Sequence, residues 1–556
     1  MAARLSTTDT IALTLLLLAA GAGAQAQIRF EDTAGKTGPK FQLRNGAAGK
    51  FHQPELMLGG VAALDYNNDG CMDIFFTNGA EMPSLKKSGP EYFNRLFRND
   101  CHGAFTDVTE KAGVAGEGYS MGVAVADYDN DGYPDIFVAG LNRNILYRNR
   151  GDGTFEDVTA KARLGGVDAH YGKLWSVSAA WVDIDNDGWL DLVVSNYVQW
   201  DPKLEPTCGT PQKPLYCHPR AYHDTPNQLF RNNHDGTFTD ITESSGLGAQ
   251  LGKGMGVAVA DYDGDGLMDI FVANDSVPNF LFHNLGHGKF EEVGMLAGVA
   301  LNDDGRPVAG MGADFRDFDN DGRPDLIFTA MFNDTYPLFR NTGAAPAFED
   351  VTARSGLAVA TRMLTGWGIG LQDFDNDGFK DVFAANSHFP SMDQLLATDV
   401  SLPNSVLRNQ GDGRFKDVSK TAGADFQLPG QYRGAAFADF DNDGRLDVVV
   451  SNVNGPARLF RNVTPNAGHW LALKLTGTRS NRDGIGASVT VTLAGGGKIY
   501  NHCTTSVGYA SSSEPLVRFG LGDSAGARLV QIRWPSGRVQ ELHDVKGDQV
   551  LQVREP

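Results

Sequence analysis

Residues 127–135 read Asp127-Tyr128-Asp129-Asn130-Asp131-Gly132-Tyr133-Pro134-Asp135, an acidic loop on the pattern Asp-x-Asp/Asn-x-Asp-Gly-x-x-Asp. The chain writes this pattern seven times, starting at Asp65, Asp127, Asp183, Asp261, Asp317, Asp373 and Asp439. Side-chain oxygens at alternate positions of a tight turn, with Gly at position six for the bend, are what a hard cation such as Ca²⁺ requires. The candidate ligands at positions one, three, five and nine are Asp65, Asn67, Asp69 and Asp73; Asp127, Asp129, Asp131 and Asp135; Asp183, Asp185, Asp187 and Asp191; Asp261, Asp263, Asp265 and Asp269; Asp317, Asp319, Asp321 and Asp325; Asp373, Asp375, Asp377 and Asp381; and Asp439, Asp441, Asp443 and Asp447. Position seven adds a backbone carbonyl, and one or two waters complete a shell of six to eight. Asn67 removes one carboxylate from the first loop, which is expected to be the weaker site.

An EF-hand is the competing assignment. It needs a bidentate Glu at position twelve, where the second copy has Val138, and it needs flanking helices, where these flanks alternate like strands. Mg²⁺ is disfavoured because it resists full dehydration by an all-protein cage. The expectation is up to seven Ca²⁺ sites with a mainly structural role: four carboxylates in one turn repel one another unless a cation sits among them.

Around each loop lie short runs rich in Val, Ile and Phe, bounded by Gly, Asn and Asp turns. A Phe-x-Asp/Glu segment such as Phe105-Thr106-Asp107 comes first. A small-residue run then enters the loop, an apolar run such as Ile136-Phe137-Val138-Ala139 leaves it, and a string of the Leu-Phe/Tyr-Arg-Asn kind follows. Loop starts are spaced 62, 56, 78, 56, 56 and 66 residues apart, the long gap holding a Pro-rich insertion at 198–226. Three or four strands per unit at this period predict an all-β chain whose residues 27–465 form a seven-bladed β-propeller, closed by strands from both ends. Five places before each loop stand Gly60, Gly122, Ser178, Gly256, Gly312, Gly368 and Gly434, and three places before stand Ala62, Ala124, Ala180, Ala258, Asp314, Gly370 and Ala436. Alternate small residues mark innermost strands crowding an axis; Asp314 is the exception. After about residue 466 the loops stop and apolar alternation continues, which predicts a separate small β-sandwich-like domain over 466–556.

The chain has 556 residues and a formal net charge of −20. The seven loops hold 27 carboxylates at their ligand positions out of 68 Asp plus Glu, so full occupancy by divalent ions would reduce the deficit to about −6. No basic stripe offsets the acidity, which argues against nucleic-acid binding. Arg4, the apolar stretch Ile11–Ala20 and Ala24-Gln25-Ala26 read as a secretion signal over 1–26, and the apolar run is too short to span a bilayer. No later segment is long enough for a transmembrane span. Export to the periplasm or the extracellular space suits both Ca²⁺ and disulfides. Of five cysteines, Cys208 and Cys217 can staple the insertion, Cys71 and Cys101 are a second possible pair, and Cys503 is left over.

The loops together with the Phe-x-Asp-Val-Thr and Leu-Phe-Arg-Asn strings resemble the FG-GAP/VCBS repeats of integrin α-subunit propellers. The tail resembles the ASPIC/UnbV domain through Gly477-Thr478-Arg479-Ser480-Asn481-Arg482-Asp483-Gly484-Ile485-Gly486-Ala487, Gly508-Tyr509-Ala510-Ser511, Phe519-Gly520-Leu521-Gly522 and Trp534-Pro535-Ser536-Gly537. The combination is similar to the cartilage acidic protein 1-like family. That resemblance implies a secreted calcium-binding propeller with an appended β domain and carries no assigned activity.

Two functions follow. The first is a binding or adhesion module for an extracellular protein or polysaccharide, its loops stiffened by calcium. The insertion, with Trp200, Tyr216, His218, Arg220, Tyr222 and His223, is either a contact surface or a braced loop over a blade edge. The alternative is a polysaccharide lyase or hydrolase with a site at the propeller mouth, drawn from His170, Tyr171, Trp175, Asp314, Trp367, His388 and Arg433. No Gly-x-Ser-x-Gly elbow, zinc helix or phosphate loop is present. Convergence of His170, Asp314 and His388 on one open pocket would favour the enzyme.

Overall fold

The computed structural model describes residues 26–391 and 399–556; of the expected leader only Ala26 lies among them. The short β runs form seven four-stranded antiparallel sheets, numbered here by their innermost strands: Val61–Leu64, Tyr119–Ala126, Ser176–Val182, Gly254–Ala260, Ala313–Arg316, Gly366–Gln372 and Tyr432–Ala438. In each sheet the acidic loop is the hairpin between the first and second strands, the Leu-Phe-Arg-Asn string is the third strand, and a Phe-x-Asp/Glu string is the fourth. Each innermost strand packs on that of the next sheet, and sheet 7 packs on sheet 1, so the sheets form a β-propeller ring. The fourth strand of sheet 7 is Phe30–Asp32, paired antiparallel with Arg458–Asn462 in the register Phe30–Asn462, so the two ends of the repeat array close the ring.

Glycine five places before the loop is a steric requirement. A Cβ on Gly122 would run into the Val177 carbonyl of the next innermost strand, and one on Gly256 or Gly312 would meet the Met311 or Trp367 carbonyl in the same way. Apolar side chains between adjacent sheets build the core in layers, for example Ala124, Phe137 and Leu146 of sheet 2 against Trp181, Leu192 and Phe230 of sheet 3.

Beyond the ring, the tail makes a three-stranded sheet of His469–Thr476, Val517–Gly522 and Gln549–Arg554 and a four-stranded sheet of Ser488–Leu493, Lys498–His502, Gly526–Arg533 and Val539–Lys546. Its buried Leu471, Val489, Val530 and Trp534 share one apolar cluster with sheets 2 and 3. The segment 503–515 leaves the tail and enters the axis of the ring. There Ser512 bonds Val61 and Ala63 of sheet 1, and the Ala510 carbonyl accepts the Val123 N–H of sheet 2 (3.0 Å). The Ala510 N–H donates to Ser178 Oγ of sheet 3 (3.0 Å), and Ser506 Oγ donates to the Val257 carbonyl of sheet 4 (2.8 Å). Gly508 and Ala313 of sheet 5 exchange two backbone bonds. Tyr509 meets Trp367 of sheet 6 edge-on at 5.3 Å, and Ser513 Oγ accepts the Phe437 N–H of sheet 7 (3.1 Å). The axis that the small residues left narrow is thus filled by backbone from the other end of the chain. A Cβ on Gly60 would lie 2.7 Å from the Ala510 carbonyl.

Candidate metal centre

Every acidic loop is built on one hydrogen-bond scheme. The position-nine carboxylate accepts the N–H of position two through one oxygen and the N–H of the third-strand Asn through the other, as Asp191 does from Ile184 (3.1 Å) and Asn232 (2.8 Å). That Asn then donates its Nδ2 to the position-two carbonyl of the preceding sheet: Asn99 to Phe440, Asn149 to Tyr66, Asn232 to Tyr128, Asn284 to Ile184, Asn341 to Tyr262, Asn409 to Phe318 and Asn462 to Phe374. The position-one carboxylate folds the loop by accepting the N–H of position six in all seven copies, as in Asp183 from Gly188 (3.1 Å). Positions one and nine of each loop therefore shape backbone as well as offering lone pairs.

The third-strand Arg supplies a feature that the sequence pattern alone did not assign. Arg148 pairs with Asp129 and Asp131, Arg231 with Asp185, Arg340 with Asp319 and Asp321, Arg408 with Asp375 and Asp377, and Arg461 with Asp441 and Asp447. The repulsion expected among bare carboxylates is offset in part by this guanidinium. It holds the outer oxygen of the position-three carboxylate. The inner oxygen of Asn67, Asp129, Asp185, Asp319, Asp375 and Asp441 is buried without any hydrogen-bond partner. Carboxylate oxygens of Asp127, Asp129 and Asp135, and likewise of Asp183, Asp185 and Asp191, lie within 4.8 Å of one another. Burial pushes the carboxyls of Asp73 and Asp127 up to about 8 and Asp183 up to about 7, their loop neighbours adding to the rise. An unpartnered acceptor facing converging carboxylates fits a hard divalent cation held by positions one, three, five and nine.

The face carrying these loops is covered. Lys474 lies 3.8 Å from Asp65, Arg482 lies 3.7 Å from Asp127, and Arg518 lies 3.5 Å from Asp439. Tyr500 packs on Gly322, Trp470 on Gly444, and Gly520 on the loop at Asp373. Lys380, itself in the sixth loop, donates to the carbonyls of Asp317 and Tyr500 (2.8 Å each). The tail caps the ends of the innermost strands and sends its 503–515 segment down the axis.

The opposite mouth is rimmed by residues six places before the loops, among them Met255, Met311, Trp367 and Arg433. The Arg433 guanidinium is fully buried 3.9 Å over the Trp367 ring and donates to the Leu56 carbonyl, so these two residues pack together. A cavity of about 150 Å³ opens there beside Tyr216, His218 and Asp275. The candidate acid–base residues do not meet in it. His170 and Tyr171 sit on the exposed hairpin of Val167–Asp168 and Gly172–Lys173. Asp314 is buried on its strand, accepting the Leu371 N–H and paired with Arg316 at 3.5 Å. His388 is buried against Thr365 Oγ1 (2.9 Å), and Trp175 packs edge-on against Tyr197. His170, Asp314 and His388 share no pocket, and the enzyme alternative draws no support from them.

Cys208–Cys217 in the insertion and Cys71–Cys101 in sheet 1 are both disulfide-bonded, and Cys503 is a buried free thiol. Trp200 and Tyr222 turn inward onto Glu205, and Tyr216 donates to Glu55 (2.7 Å), so the aromatic part of 198–226 braces the mouth while His218, Arg220 and His223 are exposed. No helix among the described residues is long and apolar enough to cross a membrane.

A ring of four-stranded sheets with an Asp loop at each innermost hairpin, capped by a C-terminal β domain, defines a propeller of the FG-GAP type. The chain belongs to the FG-GAP-like repeat family, which matches residues 65–138, 127–194, 220–272, 261–328, 317–384 and 373–450, and residues 477–556 match the ASPIC and UnbV family. Cartilage acidic protein 1 of Homo sapiens is 26% identical over 526 residues, covering 89% of this chain and 72% of that protein; the Mus musculus protein is 26% identical over 506 residues, covering 86% and 71%. Among solved structures, an Agrocybe aegerita lectin described by its recognition of non-reducing terminal N-acetylglucosamine aligns with TM-score 0.40 at 18% identity over 72% of this chain and 86% of its own. YCF48 bound to D1 peptide aligns with TM-score 0.41 at 9% identity over 80% and 100%. These two likenesses concern the fold alone.

Proposed function

We propose that the chain is a secreted, calcium-braced binding module whose partner is an extracellular protein or polysaccharide. The observation that carries the calcium reading is the unpartnered inner oxygen at position three, repeated in six loops where carboxylates converge. A bound divalent ion supplies positive charge that offsets the mutual repulsion of the loop carboxylates. The chain's own residues do the rest: positions one and nine fold the hairpin, the third-strand Arg of sheets 2, 5 and 6 orients positions three and five, and the third-strand Asn ties each loop to its neighbour. Two disulfides suit an oxidising compartment. With the loop face under the tail, the partner's surface is the opposite mouth and the ring's outer edge, where a rigid scaffold presents the braced insertion.

Calorimetric titration of metal-free chain 27–556 with Ca²⁺ tests the first half. Several ions bound per chain, and a melting temperature higher in millimolar Ca²⁺ than in chelator, are expected; identical melting with no bound metal overturns it. Glycan-array and pull-down binding with and without chelator tests the second half, and binding that is absent or indifferent to chelator overturns it.

A further inference from the structure

The mouth opposite the tail holds a carboxylate whose charge the fold leaves unpaired. Asp275 directly follows the second strand of sheet 4, Asp269–Asn274, and its backbone N–H is fixed on the Lys253 carbonyl (3.0 Å). It is 8% exposed and lines the cavity of about 150 Å³ beside Tyr216 and His218. One carboxylate oxygen accepts the buried Tyr197 hydroxyl (2.6 Å) and the other accepts the Ser276 hydroxyl (2.8 Å). Both donors are neutral. Among the described residues no cation lies within ion-pair distance of Asp275: Lys253 is spent on Asp224, and His218 stands exposed at the cavity and acts only from further off. Burial raises the Asp275 carboxyl above its ordinary value, against the pull of the two hydroxyls. Buried charges are ordinarily paired, and here the pairing side is the cavity.

The walls around this carboxylate are apolar and adaptable. Met57, Met255, Met311 and Met331 converge there from separate parts of the chain, joined by Trp367 and Phe389. Thioethers are polarisable, fit irregular shapes and make favourable contacts with aromatic rings. An apolar cavity of about 150 Å³ is the size that takes up one benzene ring. The Arg433 guanidinium 3.9 Å over Trp367 already uses that ring's attraction for a cation, which leaves Asp275 as the group that reads charge. A mostly apolar pocket with a single buried charge is the usual plan of a small-ligand site.

We propose that the mouth cavity is a binding site for a small arylalkylamine, its ring among the methionines and its ammonium on the Asp275 carboxylate. The site depends on neither bound calcium nor a macromolecular partner, since no acidic loop contributes to its lining. The ammonium donates a charge-assisted hydrogen bond to Asp275 and supplies the missing counter-charge. An arylalkyl acid of the same size would set like charge against Asp275. A sugar unit would bury hydroxyls against thioethers at a cost in lost hydration. A lysine side chain brings the ammonium on a methylene stem and leaves the ring contacts unmade.

The test uses chain 27–556 in millimolar Ca²⁺, titrated calorimetrically with phenethylamine, its neutral analogue 2-phenylethanol, the acid 3-phenylpropionate and Nα-acetyl-lysine amide. The expected result is one phenethylamine per chain, 2-phenylethanol at least tenfold weaker, and no binding of the acid. Asp275→Asn keeps the size of the side chain and removes its charge, and phenethylamine should bind it at least tenfold more weakly. Met331→Trp, at a half-buried wall position, fills the cavity and should abolish binding; it keeps the test decisive if Asp275→Asn fails to fold. Absence of phenethylamine binding, or binding unchanged by either variant, overturns the inference. Binding of 2-phenylethanol as tight as that of the amine overturns the role of Asp275, and binding of Nα-acetyl-lysine amide as tight overturns the aromatic assignment.

Discussion

At the scale of single residues, the acidic loop does two jobs with one set of side chains. The Asp at position nine and the third-strand Asn form a two-part clasp, and the Asn reaches into the neighbouring sheet. Asn232 donates to the carbonyls of Tyr128 and Leu190 (3.0 Å each) from a buried position. Asn232→Ala leaves both carbonyls without that donor and is expected to cost about 2–4 kcal/mol in urea unfolding; a loss within experimental error would show that the clasp is ornamental. The carboxyls themselves set a pH dependence. Asp73 and Asp127 are pushed up to about 8 and Asp183 to about 7 by burial. An acid whose pKa is higher folded than unfolded holds its proton better in the native state. Its contribution is full below the unfolded value near 4 and is lost as pH rises through the folded value. In chelator the melting temperature therefore falls between pH 5 and pH 8. In millimolar Ca²⁺, which binds the ionised carboxylates, that fall disappears; calorimetric scans in the two buffers make the comparison. The ligand positions were legible because their spacing is fixed by local turn geometry. The partner Arg was visible only as part of a repeated string, because its role depends on which strand lies beside the loop.

At the scale of elements, the 503–515 segment decides how the ring is filled. The small residues at the innermost strands were readable as a crowded axis, since their alternation follows strand periodicity. Their occupant was not readable, because it comes from the tail, 76 residues from its sheet 7 contact at Phe437 and 450 from its sheet 1 contact at Val61, and touches every sheet. Ala510 is 1% exposed, with its carbonyl on Val123 and its N–H on Ser178. Ala510→Phe adds a ring where backbone already touches backbone, and overpacking of this kind costs about 1–3 kcal/mol. The expected consequence is withdrawal of the segment: limited proteolysis should cut within 503–515 in the variant and spare it in the parent chain. Apolar alternation after residue 466 made a β tail legible, whereas the strand Val539–Lys546 was not, because it is exposed along its length and carries little apolar content.

At the scale of the whole molecule, ring and tail share a buried apolar cluster and a common axis. Opening either part exposes apolar side chains of that shared cluster. Differential scanning calorimetry of chain 27–556 should give one cooperative transition, and two resolved peaks would show that the parts fold independently. The same packing redistributes function: the tail covers the loop face, which leaves the mouth and the outer edge as surfaces open to a partner.

The sequence by itself determined the repeat, the all-β class, the position of each acidic loop and the strands that flank it, because all of these are written in short-range periodicity and turn chemistry. Only the tertiary structure decided what fills the axis, which face is covered and that the candidate acid–base residues stand apart. Those outcomes depend on contacts between residues far apart in the chain, and a local pattern carries no record of what a distant segment will be folded against.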